Sequence, residues 1–335
     1  MKCPKCGNNQ RYRDGMTCSK CRYKFALDPK KEGFTDNQFV RALRQASQQD
    51  QQYFTFHQFF AALYQQAKLT QWWIANLAGA VLVGGLSYAI FENIALSLFL
   101  ALASVGIAIF KRGGNLSTAP DPVKIQVLFD RWLRHRGEPL EKYLRTPRLL
   151  AAPTATSEPD IYDYGVEGIL LLDQDIYVDL LVLNDLHSEF RLLILSQGGY
   201  PAYLFDKANE LLASRSDLPV YLLHDGATVA KNITHKFTLA GNPVFDLGLQ
   251  GKDFSTVRHL QPFQQVTNFP LDLCLTSQLR RLLAIATRKV QEVAADGGTY
   301  VDSSGDNMVG GILVLSLFGE AMGDGDGDSG GDDFG

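Results

Sequence analysis

The sequence predicts a multidomain chain: a cysteine-rich N-terminal module, a small helical unit, a two-helix transmembrane hairpin and a C-terminal α/β domain. Three observations predict it. Four cysteines lie close together at the N-terminus, residues 72–110 are almost uncharged, and apolar runs alternate with amphipathic stretches over residues 161–294. The length of 335 residues suits two or three domains. Ten acidic residues and no Lys or Arg follow Lys289, so residues 295–335 are expected to form an acidic, Gly-rich tail.

The four cysteines form two Cys-x-x-Cys pairs, Cys3/Cys6 and Cys18/Cys21, with eleven residues between the pairs. Four thiolates can surround one zinc ion tetrahedrally, and two short knuckles present them compactly. Over residues 1–27 the pattern resembles the zinc-ribbon family, which implies a structural Zn²⁺. Disulfides are the alternative. We expect zinc because disulfide frameworks are typical of exported chains and no export signal precedes Cys3.

The second strong signal is the apolar stretch over residues 72–110. Residues 72–91 and 94–110 hold no charge, and Glu92 and Asn93 separate them. Each half has about the length that a helix needs to cross a bilayer, at ~1.5 Å per residue. We therefore expect a transmembrane hairpin with the lipid bilayer as a partner. The alternative is a pair of buried helices in a globular core.

Basic residues lie on both sides of this stretch and not at its far turn. Lys68 precedes it, and Lys111 and Arg112 follow it. The positive-inside rule then predicts a multi-pass membrane protein with both termini in the cytoplasm. A reducing compartment agrees with zinc-binding cysteines.

Two short units flank the apolar stretch. The pattern over residues 34–69 predicts a small helical unit, with a winged-helix fragment as the alternative. An aromatic stripe recurs there at helical spacing, and such a stripe is more typical of a core than of a partner surface. Residues 111–160 predict a basic connector and linker. Its amphipathic helix is expected either to lie against anionic headgroups or to pack on the next domain.

Residues 161–294 predict a Rossmann-like α/β domain. Continuous apolar runs at 168–172, 190–196 and 218–223 alternate with helical patterns, and a fourth run begins at Pro243. Such alternation indicates a parallel sheet with crossover helices.

Acidic and small residues follow three of these runs. Ligands of parallel α/β sheets bind at the carboxyl ends of the strands. Carboxylates that converge there can hold Mg²⁺, and glycines can let a phosphate approach the backbone. The candidate catalytic and Mg²⁺-binding residues are Asp173, Asp175 and Asp225. The candidate phosphate-binding residues are Ser196, Gly198 and Gly199. Acids at strand ends are also common as turn and helix-cap residues, which is the alternative.

Two families have a similar layout over residues 165–250. The order of elements resembles the toprim domain, a metal-binding module of topoisomerases and primases, with Asp173 in the place of its Glu and Asp225-Gly-Ala227 in the place of its Asp-x-Asp. The layout also resembles the haloacid-dehalogenase phosphatases, whose acids match Asp173 and Asp175 and whose Ser or Thr matches Ser196. Either resemblance implies Mg²⁺-dependent phosphoryl chemistry, although neither motif is complete.

The expected function follows from these parts. A membrane-anchored zinc-ribbon protein would present the α/β domain as an interaction or sensing module for protein partners, without catalysis. An Mg²⁺-dependent phosphoryl or phosphodiester enzyme that uses the three aspartates is the first alternative. Nucleic-acid binding through the ribbon and the basic connector is the second.

Overall fold

The computed structural model describes residues 1–63, 121–137, 139–150, 165–225, 234–248, 271 and 274–295, with side chains as far as residue 288. The N-terminal module contains a short 3-10 helix, Tyr12–Asp14. The helical unit contains α1 (Pro29–Glu32), α2 (Asp36–Ala46), β1 (Phe54–Thr55), α3 (residues 56–63), α4 (Pro122–Arg136) and β2 (Tyr143–Leu144). The α/β domain contains β3 (Gly168–Leu172), α5 (Asp175–Val182), α6 (Leu186–Glu189), β4 (Leu192–Ser196), α7 (Ala202–Ser214), β5 (Val220–Leu223), β6 (Val244–Asp246) and α8 (Thr276–Ala295).

Local sequence explains where the helices of the helical unit begin and end. Thr35 caps α2 and forms a capping box with Gln38, so two backbone N–H groups gain partners. Asp121 caps α4 by accepting a hydrogen bond from the backbone of Val123. Gly137 ends α4 in the left-handed conformation, with a φ of 74°.

An aromatic core joins the two stretches of the helical unit. Phe59 of α3 and Phe129 of α4 lie 4.2 Å apart between ring centroids. Phe39 of α2 packs edge-on against Phe59 and Trp132. Strands β1 and β2 pair in parallel. The aromatic stripe of α3 is therefore core, as predicted, and the helix of the predicted connector also buries one face in that core.

The sheet of the α/β domain is parallel, as predicted, and its strand order is β4-β3-β5-β6. Alternate residues of each strand face opposite layers because successive side chains point to opposite sides of a sheet. One layer holds α7 with Ile169 and Leu171 of β3. The other holds α5 and α8 with Leu170 and Leu172, and its apolar core continues into the helical unit.

Two amides fix the helical unit to the α/β domain. Asn184 accepts a hydrogen bond from the backbone N–H of Tyr53 at 2.8 Å and donates to the carbonyl of the same residue at 3.0 Å. Gln58, fully buried, donates to the carbonyl of Cys274 at 2.9 Å. Buried amides that satisfy backbone groups in this way favour one relative position of the two units.

The predicted fold class needs one correction. No helix in the part of the chain that the structure describes is both long enough and apolar enough to cross a lipid bilayer. The longest of them, α8, carries Arg280, Arg281 and Arg288, so it is amphipathic. The predicted hairpin over residues 72–110 itself lies outside the described residues. The transmembrane hairpin, the multi-pass localisation with cytoplasmic termini and the bilayer as a partner are therefore not supported.

Candidate metal centre and sheet-edge site

The two Cys-x-x-Cys pairs fold into matching knuckles. In the first, the N–H of Gly7 donates to the carbonyl of Cys3 at 2.9 Å, and in the second the N–H of Arg22 donates to the carbonyl of Cys18 at 2.9 Å. Both donors have a positive φ, 71° for Gly7 and 59° for Arg22. The first knuckle uses the residue type that adopts this conformation without strain, whereas the second places an arginine there.

The four sulfurs converge on one point. All four Sγ atoms lie within 4.8 Å of one another, and two of the pairs, Cys3–Cys21 and Cys6–Cys18, are separated by 3.6 Å. A disulfide needs about 2.05 Å, so the four cysteines are free thiols. Sulfurs about 2.3 Å from a tetrahedral ion lie about 3.8 Å apart, close to the observed separation. The predicted cluster is confirmed as a group that could hold a metal ion, which is consistent with structural zinc.

The ionisation of the thiols differs across the cluster. Hydrogen bonds from the backbone, above all at Cys21, lower the pKa of Cys18 to about 6. A backbone hydrogen bond at Tyr23 lowers the pKa of Cys21, but burial and three neighbouring thiols outweigh it and raise that pKa to about 12. Four thiolates so close together repel one another, so a cation is needed for all of them to ionise together.

A buried carboxylate fixes the N-terminal module to the helical unit. Asp36, fully buried at the start of α2, accepts hydrogen bonds from Tyr23 Oη at 2.7 Å, from Ala26 N at 3.0 Å and from Leu27 N at 2.9 Å. A second contact comes from α4, where His135 Nε2 lies 2.7 Å from the carbonyl of Lys24. The cysteine cluster is therefore held on a folded support.

The predicted acidic site lies at the carboxyl edge of the sheet. The chain leaves β3 for β4 on one side and then returns to β5 on the other, so the strand order reverses between β3 and β5. This reversal is where doubly wound sheets bind ligands. Asp173 follows β3, and Asp225 follows β5 by two residues; the N–H of Asp225 donates to Asp173 Oδ2 at 3.1 Å.

The environment of Asp173 disfavours its charged form. Burial raises its pKa, the N–H of Asp225 lowers it, and the charge of Asp225 raises it further. The net effect is a pKa above the ordinary value of an aspartate. Asp175 is exposed in the first turn of α5. The three predicted aspartates therefore have different surroundings.

His224 occupies the centre of the edge. Its Nδ1 lies 2.6 Å from the carbonyl of Asp225, and its Nε2 lies 3.0 Å from Asp246 Oδ1. Burial lowers the pKa of His224, but these hydrogen bonds outweigh burial and raise it. A carbonyl and a carboxylate both accept hydrogen bonds, so the doubly protonated ring satisfies both contacts. A Cβ on Gly248 would lie 2.2 Å from His224 Cε1, so only glycine fits beside the ring.

The predicted phosphate-binding residues form a tight turn after β4. Ser196 Oγ, fully buried, accepts hydrogen bonds from the N–H of Gly198 at 3.2 Å and from the N–H of Tyr200 at 3.3 Å. Gly199 has a φ of 81°, and a Cβ there would lie 2.8 Å from Phe205 Cδ2. The hydroxyl therefore stabilises its own turn, and Gly199 is required by packing.

Within the described ranges, metal-ligating groups are brought together only in the N-terminal module. Among the described residues, the four cysteines are the sole group of three or more His, Cys, Asp or Glu whose ligand atoms are close enough to hold an ion. Asp173, Asp175 and Asp225 do not form such a group. The predicted Mg²⁺ is unsupported.

Sequence reasoning did not single out Asp179 or Tyr200. Asp179 is fully buried in α5 and accepts hydrogen bonds from Tyr200 Oη at 2.6 Å and from the backbone N–H of Arg148. The N–H of Leu149 in turn donates to Tyr200 Oη at 2.6 Å. Burial raises the pKa of Asp179 although these donors lower it. An acid inside the apolar run Ile176–Val182 was the available signal, because such an acid needs buried donors.

Comparison of the chain with models of protein families, with curated proteins and with solved structures finds no match. Neither the toprim domain nor the haloacid-dehalogenase phosphatases gain support from these comparisons.

Proposed function

We propose that the protein is a non-catalytic interaction protein. A structural Zn²⁺ stabilises its N-terminal module, residues 1–27, which we call the ribbon, and the α/β domain is the interaction or sensing module. The zinc is structural because four thiolates fill its tetrahedral coordination and leave no position open for a substrate. Closed coordination of this kind contributes folding energy rather than chemistry.

One observation carries the non-catalytic assignment. At the sheet edge, Asp173 accepts from the backbone of Asp225, and His224 bridges Asp225 and Asp246. Mg²⁺-dependent phosphoryl transfer needs carboxylate oxygens turned towards a shared ion. Here Asp173 Oδ2 accepts a hydrogen bond from the backbone of Asp225, and Asp246 Oδ1 accepts from His224 and from the N–H of Gly248, an arrangement suited to holding the edge in one shape.

The first test is calorimetric titration of the full chain with MgCl₂ and with MnCl₂, followed by hydrolysis assays with p-nitrophenyl phosphate and bis-p-nitrophenyl phosphate. We expect no saturable binding and no turnover. Asp173→Asn is compared with Asp206→Asn, which changes an exposed acid of α7. Metal-dependent hydrolysis that Asp173→Asn abolishes and Asp206→Asn preserves would establish the enzyme alternative instead.

The second test addresses the ion. The purified full chain should contain one zinc per molecule by elemental analysis. Chelation should collapse the amide spectrum of residues 1–27 while the signals of β3 to β5 persist. An unchanged spectrum after complete metal removal would show that the ribbon folds without zinc.

A further inference from the structure

The N-terminal ribbon is strongly basic although the whole chain is acidic. Residues 1–27 carry seven Lys or Arg and one acid, Asp14, which gives a formal charge of +6, against −4 for all 335 residues. Four thiolates around Zn²⁺ contribute a net charge of −2, so a strong positive excess remains with the ion bound. The seven ribbon cations are Lys2, Lys5, Arg11, Arg13, Lys20, Arg22 and Lys24.

All seven ribbon cations are exposed. Apart from Lys2, none of them forms a salt bridge with a carboxylate among the residues that the structure describes. An ordinary solvated surface mixes charges of both signs, because like charges repel one another. The ribbon instead concentrates one sign, and six of its seven cations have no carboxylate partner among the described residues.

The hydrogen bonds that attach the ribbon to the helical unit do not use the cationic side chains. Those contacts use the Tyr23 hydroxyl, the backbone of Ala26 and Leu27, and the carbonyl of Lys24. The positive surface extends onto the last turn of α4, because His135 reaches the Lys24 carbonyl and Arg134 beside it is exposed. The helical unit thus supports the basic face without covering its side chains.

The character of the face distinguishes its possible partners. Protein hot spots are typically built from aromatic and Arg anchors in well-packed pockets, and membrane insertion uses large apolar side chains. Among the described residues, the exposed large apolar side chains belong to other parts of the chain: Val123, Val127, Leu150 and Val244. A dispersed set of Lys and Arg without apolar anchors suits a partner with closely and regularly spaced negative charges, for which binding is driven by counterion release.

We infer that the exposed basic face of the ribbon binds the phosphate backbone of a nucleic acid without sequence preference. The inference concerns the ribbon and goes beyond the non-catalytic role proposed for the α/β domain. Because different residues carry the two assignments, one can fail while the other stands.

The test is fluorescence anisotropy of the full zinc-loaded chain with a labelled 25-nucleotide DNA strand, the corresponding RNA and a 25-base-pair duplex, from 50 to 300 mM NaCl. The variant Lys5→Gln/Lys20→Gln/Lys24→Gln removes three cations of the face. The control Lys207→Gln/Lys236→Gln/Arg281→Gln removes three cations of the α/β domain and has the same net charge. Zinc content is measured for every protein.

The wild type should bind all three probes, with log K falling linearly as log[NaCl] rises. The ribbon variant should lose about two to three units of that slope, at about 0.7 to 0.9 for each of three phosphate contacts, and at least about tenfold in affinity at 100 mM NaCl. The control should stay within about twofold of the wild type.

Three results would overturn the inference: no binding at 50 mM NaCl, a flat salt response, or equal losses in the two triple variants. Equal or tighter binding of a poly-glutamate peptide or of phosphatidylglycerol vesicles would also overturn it, because the face would then recognise an acidic protein or a lipid surface instead.

Discussion

The N-terminal ribbon and the carboxyl edge of the sheet both collect residues that ligate metals, yet only the ribbon brings them to one point. Four Sγ atoms lie within 4.8 Å of one another in the ribbon. At the edge, Asp173 and Asp246 are instead bridged by the Asp225 backbone and His224. Residue types at suggestive positions are therefore insufficient for a metal site; their ligand atoms must also face a shared centre.

The difference has a physical origin. In the ribbon, two knuckles of the same shape place thiols at fixed spacings, so the local sequence determines the cluster. At the edge, each acid is at the end of a different strand, and its direction depends on the following turn. Hydrogen bonds inside the protein then compete with any ion for the carboxylate oxygens.

The largest expected effect is loss of the ribbon centre through Cys18→Ser. Removal of one ligand from a closed tetrahedral site should abolish zinc retention and unfold residues 1–27, because structural zinc contributes on the order of 10 kcal/mol to such modules. Elemental analysis and the amide spectrum measure both consequences. The matched control is Cys274→Ala, which changes the buried cysteine outside the cluster. Zinc retained by Cys18→Ser would exclude this centre.

The next effect concerns the attachment of the ribbon. Asp36→Ala removes the acceptor of three hydrogen bonds, one of them from Tyr23 Oη, and leaves buried donors without partners. We expect a loss of about 3 kcal/mol in the free energy of unfolding. Urea denaturation measures the loss, and hydrogen exchange at Leu27 shows whether it is local. Asp206→Ala, at an exposed acid of α7, should change stability by less than about 0.5 kcal/mol. Equal effects of the two substitutions would contradict the role of Asp36.

These two predictions mark how far the sequence alone could reach. The cysteine cluster and the parallel sheet were predictable because Cys-x-x-Cys spacing and continuous apolar runs are local signals. The sequence alone could not show whether Thr35 or Asp36 caps α2, since both residue types suit a helix start. Only the fold shows that one caps the helix and the other holds the ribbon.

Long-range pairings explain most of what was missed. The parallel pairing of Phe54 with Tyr143 and the contact of Phe59 with Phe129 join stretches separated by at least 70 residues, so no local pattern encodes them. The bridge from His224 to Asp246 likewise depends on the placement of β6 beside β5. The transmembrane hairpin was inferred from hydropathy alone, a signal that does not distinguish a bilayer from another apolar environment.

A smaller effect should accompany the titration of His224. Its pKa in the folded chain is raised, so its stabilising contribution is complete below the unfolded value of about 6.5 and is lost as the pH rises through the folded value. Melting temperatures of the wild type should therefore fall over that window, whereas those of His224→Gln should fall less. His235→Gln, at an exposed histidine, is the control. An NMR midpoint for His224 below 6.5 would contradict the bridge to Asp246.

The smallest effect tests the edge acid itself. Because burial raises the pKa of Asp173, the folded state disfavours its charge, and the destabilisation develops as the pH rises from the unfolded value of about 3.9 through the higher folded one. Asp173→Asn removes that charge and keeps an oxygen to accept the N–H of Asp225, so it should be as stable as the wild type or more stable at pH 7, with the advantage fading towards pH 4. Asp206→Asn should show no such trend. Thermal unfolding of the three proteins at pH 4, 5.5 and 7 measures the difference. A clear loss of stability in Asp173→Asn at pH 7 would mean that the negative charge itself holds the edge together.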